Sequence, residues 1–121
     1  MATVRYLVRD VEQAVDFYTG VLGFTEERLF GPAMAIVASG DLRLWLAGPN
    51  SSAARAMPDG RRPEPGGWNR LVIETDGLDA LIGRLQALGA PFRNDVVEGP
   101  GGRQILIEDP SGNPIELFEP A

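Results

Sequence analysis

The sequence predicts an α+β protein built from one strand–helix–three-strand module used twice. The first observation is a repeat: Asp10 stands twelve residues before Leu22-Gly23, and Asp76 twelve residues before Leu88-Gly89. The second is periodicity, because the run after each aspartate places apolar residues at the i, i+3, i+4 spacing of one buried helical stripe. The third is that each helix is followed by short alternating segments divided by Gly and Pro, as hairpin strands are. A chain of 121 residues is one domain by the usual prior. It can bury roughly two-thirds of its unfolded surface.

Taken in order, Thr3 to Val8 reads as a strand. Asp10 then caps a helix, with Gln13 three residues on as the reciprocal partner of a capping box. Val11, Ala14, Val15, Tyr18 and Leu22 form its stripe, and Gly23 ends it, since glycine takes the left-handed conformation cheaply just past a last turn. Strands follow at about 24–30, 33–39 and 42–47, separated by Gly31-Pro32 and Gly40-Asp41. The second copy begins with a strand at about 68–75 and a helix capped by Asp76. Its stripe is Leu78, Leu81, Ile82, Leu85 and Leu88, and Gly89 stops it. Strands at about 91–97, 103–108 and 114–118 complete the copy, divided by Gly99 to Gly102 and by Asp109 to Pro114. The expected organisation is a single domain over 1–121, with modules at about 1–47 and 68–121. Its linker, 48–67, holds four Pro, four Gly and two Ser. A segment that long serves as a plain connection or as a lid, and both readings stand.

Composition removes whole classes of function. The net charge is −6, and all eleven basic residues are arginine. Nucleic acid and anionic membrane bind through clustered Lys and Arg, so neither is an expected partner. Arg61-Arg62 is the one adjacent basic pair and reads as a solvated loop. No apolar run approaches the length of about 18 residues that spans a bilayer. Arg5, Arg9, Asp10 and Glu12 interrupt any secretory leader, so the expected location is cytoplasmic. With no Cys and no His, disulfides, thiolate nucleophiles, Ser–His–Asp triads and imidazole bases are all excluded. Zinc and iron sites that need Cys or His cannot form within the chain, which leaves only oxygen ligands. The Gly99 to Gly102 run lacks the Gly-Lys-Ser/Thr ending of a phosphate cradle and does not open a helix, so it reads as a hairpin turn.

Alternation along the strands separates two faces, because successive side chains point oppositely. Leu42, Leu44, Leu46, Leu71, Ile73, Ile115 and Leu117 share the parity that must cover the helices. The other parity carries Thr3, Arg5, Arg43, Trp45, Trp68, Arg70, Glu74, Glu116 and Phe118. A face with two tryptophans, three arginines and two carboxylates is not a second dry core. It is a solvated surface or the wall of a binding cleft. The tryptophans can stack on a planar ligand or pack under the long loop; the arginines can clamp a carboxylate or phosphate, or form surface salt bridges.

The two modules, with Asp10, Phe17-Tyr18 and Leu22-Gly23-Phe24 in the first, resemble the vicinal oxygen chelate superfamily. That superfamily includes glyoxalase I, extradiol dioxygenases, and fosfomycin- and bleomycin-resistance proteins. In the second module, Glu108-Asp109-Pro110-Ser111-Gly112-Asn113-Pro114-Ile115-Glu116-Leu117 resembles its closing motif. The resemblance implies a curved mixed sheet around a cleft with helices packed outside, and a homodimer. Metal ligands of the superfamily's enzymes carry over to Thr3, Trp45, Arg70 (or Asn69 if the register slips by one) and Glu116. Only Glu116 keeps a ligand's chemistry. No metal and no cofactor are therefore predicted. The expected function is metal-independent binding of a small aromatic or amphipathic molecule, as in drug or metabolite sequestration. The alternatives are a metal-dependent lyase, dioxygenase or isomerase of the same superfamily, or a metal-free epimerase or cyclase with Glu116 as catalytic base. Whether the chain is an enzyme stays open at this point, as does the charge of its ligand. Glu116 can equally be a remnant of the motif that pairs with Arg70.

Overall fold

The computed structural model describes residues 2–121, with Met1 outside the described residues. The chain divides into two compact units, one ending at Gly66 and the other running Gly67–Ala121. Each is a strand, a helix and three strands, so the fold is α+β with two βαβββ modules.

In the first unit, β1 (Ala2–Leu7) leads to α1 (Val11–Gly20), then β2 (Thr25–Phe30), β3 (Met34–Ser39) and β4 (Leu42–Ala47). The Asp10 carboxylate accepts from Gln13 N at 2.9 Å, satisfying one orphan donor of the first turn. Gly23, at φ +78°, ends the helix, and Phe24 N donates back to Tyr18 O at 2.8 Å. The buried stripe is Val11, Ala14, Val15, Phe17 and Tyr18. Phe17 joins it because Tyr18 stacks edge-on against both Phe17 and Phe24, at 5.3 and 5.5 Å between centroids, while Leu22 is only half-buried. The sheet order is β1-β4-β3-β2, with β1 parallel to β4 and the other pairs antiparallel. Leu44, Leu46, Ala35 and Val37 share the fully buried parity. The segment after β4 carries one short 3₁₀ turn at Ser52–Ala54.

In the second unit the elements are β5 (Leu71–Glu74), α2 (Leu78–Ala87), β6 (Val97–Gly99), β7 (Gly102–Glu108) and β8 (Pro114–Pro120). The sheet order is β5-β8-β7-β6, again with one parallel pair, β5 and β8. Its buried rows are Leu71, Ile105, Ile107, Ile115 and Leu117, with Leu78 and Leu85 from the helix.

Four expectations are corrected in this unit. Asp76 does not cap α2: the cap residue is Gly77, and Leu78 N donates to Glu119 on β8 at 3.1 Å. A tertiary carboxylate has replaced the local one. Leu88 lies outside the stripe and is 52% exposed. The expected strand at 91–97 shrinks to Val97–Gly99 plus a single bridge from Phe92 to Ile107. Asn94 and Arg93 spend their polar groups on other partners there: Leu106 N donates to the Asn94 side chain, and Arg93 N to Leu106 O. Finally β5 is shorter than 68–75, so Trp68, Asn69 and Arg70 precede the strand.

Candidate functional site

The second parity of each sheet carries the sequence-predicted residues other than Trp68 and Arg70, which precede β5, and each unit holds its own group. In the first unit, register pairs Thr3 with Arg43 and Arg5 with Trp45 across β1 and β4. Ile36 stands opposite Trp45 on β3, and Arg28 opposite Ile36 on β2. These residues therefore lie on one face. The Arg5 guanidinium sits 4.9 Å from the Trp45 ring centroid, a cation–π stack worth roughly 0.5–2 kcal/mol. Arg28 stacks in the same way on Phe30 at 5.0 Å. Arg43 instead pairs with Glu27, Nε to Oε1 at 2.9 Å; the bulge between Glu26 and Arg28 carries Glu27 there. Trp45 Nε1 is buried and meets no acceptor among the described residues.

The second unit brings Trp68, Arg70 and Glu116 together. Arg70 Nε and Nη2 both donate to Glu116 Oε1, at 3.0 and 2.8 Å, and Nη1 donates to Trp68 O at 3.3 Å. Glu116, in mid-β8, is 7% exposed. Arg93, which the sequence reading did not single out, organises the loops around it. Its Nε donates to Glu108 at 2.7 Å, Nη1 to Gly67 O at 2.9 Å and Nη2 to Gly112 O at 2.8 Å. Its guanidinium then covers one face of Trp68 at 4.7 Å, leaving that indole 70% exposed. An arginine in an irregular segment carries no sequence signal for such a role, because its partners lie at both far ends of the unit. Phe118 is half-buried next to Glu116 along β8, and Glu74 pairs with it from β5 while staying exposed. The turn that leads into β8 is fixed by Asp109, whose Oδ1 accepts from Ser111 N and Asn113 N at 2.8 and 2.9 Å. That turn aims the strand carrying Glu116.

A cluster on the opposite face is structural. Glu119 accepts from Leu78 N, and from Arg103 Nη2 at 2.7 Å, while Arg103 Nη1 reaches Asp79 at 3.1 Å. Hydrogen bonds from Arg103, then from the Leu78 amide, hold the Glu119 carboxyl below its ordinary 4.5. A cavity of about 710 Å³ lies on the helix side of the first unit, between α1 and β2. It does not reach Arg5 or Trp45. The stacked face is the better candidate because, among the described residues, it alone holds a buried side-chain donor in want of an acceptor.

Comparison with known proteins settles the lineage. A family model for the Glyoxalase/Bleomycin resistance protein/Dioxygenase superfamily matches residues 1–117. The chain belongs to this superfamily. It is 28% identical over 140 aligned residues to a lactoylglutathione lyase of Pseudomonas putida, covering 93% of this chain and 80% of that one. Among solved structures it resembles TnmS3, an antibiotic-binding protein from Streptomyces, at 30% identity and a TM-score of 0.74, over 98% of this chain and 93% of that one. A superfamily member from Sphaerobacter thermophilus matches at 27% identity and a TM-score of 0.78, over 98% and 95% of the two chains.

The superfamily's metal positions can now be tested against these side chains. Thr3 offers an exposed hydroxyl, and Trp45 offers an N–H donor where an acceptor is required. Arg70 places a cation at the third position, and Asn69, the alternative, is exposed outside any strand. Glu116 is already bonded to that cation. Among the described residues no three carboxylates gather within either unit, where a divalent ion needs several oxygen ligands. The residues present do not fit the metal.

Proposed function

We propose that this chain is a small-molecule-binding member of the superfamily that recognises its ligand without a metal. One observation carries the reading: Glu116, the last position with a ligand's chemistry, is engaged by Arg70 through two hydrogen bonds. Near it stand the exposed Trp68 indole and the half-buried Arg70 and Arg93 guanidinium groups, which suit planar organic molecules and anionic groups rather than metal ions. Its likeness to an antibiotic-binding protein supports sequestration of a drug or metabolite. The named lyase among its relatives supports turnover instead. The donor set favours the binding reading, since a carboxylate locked to arginine serves neither metal-dependent chemistry nor a free carboxylate base. The same reading takes the ligand to be aromatic or amphipathic. It also makes the protein a cytoplasmic homodimer, and the exposed Leu29 and Phe30 on edge strand β2 support self-association.

The test is a thermal-shift panel of aromatic antibiotics and metabolites in buffer containing EDTA. A ligand at 100 times its dissociation constant adds about 2.7 kcal/mol of stability. Saturable stabilisation that EDTA leaves unchanged is expected. A flat panel, or stabilisation that appears only after a transition metal is added, contradicts the proposal.

A further inference from the structure

The sequence leaves the charge of the ligand open, since an acidic chain suggests a cation and the face arginines suggest an anion. Side-chain pairing in the first unit separates these. Arg43 is neutralised by Glu27. Arg5 and Arg28 lie on the same face, and neither has a carboxylate partner among the described residues; each is held only by its stack on Trp45 or Phe30. The face thus carries three arginines against one glutamate, opposite in sign to the chain as a whole. Beside Arg5, Trp45 Nε1 is buried without an acceptor. An unsatisfied buried donor costs about 1–3 kcal/mol, and an arriving acceptor recovers that cost.

We infer that the Arg5–Trp45 pair is a donor site for an anionic hydrogen-bond acceptor. It takes the carboxylate, or another anionic oxygen, of a planar aromatic ligand whose ring lies along Ile36 and Trp45. This rests on the small-molecule reading above and adds the ligand's charge and its anchor. Arg5 is exposed and held by the stack alone, so it can turn toward the anion and admit it to the indole N–H. Both hydrogen bonds to the carboxylate are charge-assisted, and in the one from the guanidinium both partners are ionised. A cationic ligand gains neither bond and meets two unpaired guanidinium groups.

Three probes that share one ring and differ in charge test this: 2-naphthoate, 2-naphthamide and 2-naphthylmethylammonium. Each is titrated into the ¹⁵N-labelled full chain, and Trp68→Phe identifies the Trp45 indole N–H resonance. The expected result is a saturable downfield shift of that resonance with naphthoate. Naphthoate should also bind at least about tenfold more tightly than the ammonium probe, a difference of about 1.4 kcal/mol. Arg5→Gln should narrow the gap between the two affinities, with naphthoate weakened and the Trp45 shift reduced. Probes that bind with equal or reversed preference, or without moving the Trp45 resonance, overturn the inference and leave small-molecule binding intact. If no probe binds while the antibiotic and metabolite panel stabilises the chain, the inference falls and the binding reading stands; if both are flat, both fall.

Discussion

Replacing Arg70 by Met should cost more than replacing Glu116 by Gln, and the asymmetry follows from burial. The Glu116 side chain is 10% exposed and that of Arg70 27% exposed, with 2.8 Å between Nη2 and Oε1. Removing one partner of a fully buried pair costs about 3–5 kcal/mol, because a charge is left uncompensated. An exposed pair is worth about 0–1 kcal/mol. Arg70→Met strands the nearly buried carboxylate, so the cost should be about 2–3 kcal/mol. Glu116→Gln keeps an acceptor for Arg70, which can also turn toward water, and should cost about 1 kcal/mol or less. For a chain of this size each kcal/mol moves Tm by roughly 3–5 °C, so Arg70→Met should melt about 6–15 °C lower. Calorimetry and urea unfolding of both variants measure it. A neutral Arg70→Met, or a costlier Glu116→Gln, would refute the reasoning and return Glu116 to the role of a free ligand or base.

Three further outcomes follow from the packing. Asp10→Ala should lose about 1 kcal/mol in urea unfolding, as N-cap removals do, whereas Asp76→Ala should stay within about 0.5 kcal/mol because Gly77 and Glu119 form that cap. Leu85→Ala, at a fully buried position, should cost about 2–5 kcal/mol, and Leu88→Ala, half exposed, less than about 0.5 kcal/mol. Glu119 titrates lower in the folded chain than in the unfolded one, so its contribution is complete above the ordinary 4.5 and fades as pH falls through the folded value. Urea midpoints measured from neutral to acid pH should therefore fall less steeply for Glu119→Gln than for the parent chain.

What could be read from the chain alone was whatever is written locally. The Asp10 cap, the glycine stops at 23 and 89 and the Leu42-Leu44-Leu46 row depend on neighbours within a few residues, and all recur in the structure. The second helix cap is not legible in the sequence because Glu119 lies far along the chain from Leu78. The short β6 was missed because Asn94 and Arg93 bond through a side chain and an amide to Leu106 rather than in a full ladder. For the site, parity placed Arg5 with Trp45 and Arg70 with Glu116 on shared faces. It could not show that Arg43 and Arg70 are neutralised while Arg5 is not, since Glu27 reaches its face only through a bulge. Arg93 stayed hidden because its partners, Gly67, Glu108 and Gly112, meet only in three dimensions.

Metal content is the most direct check on the account. Protein purified without chelator or added metal, assayed by plasma mass spectrometry, should carry far less than one equivalent of Mn, Fe, Ni, Co or Zn per chain. One tightly held equivalent of any of these, surviving dialysis and lost in Glu116→Gln, would contradict it.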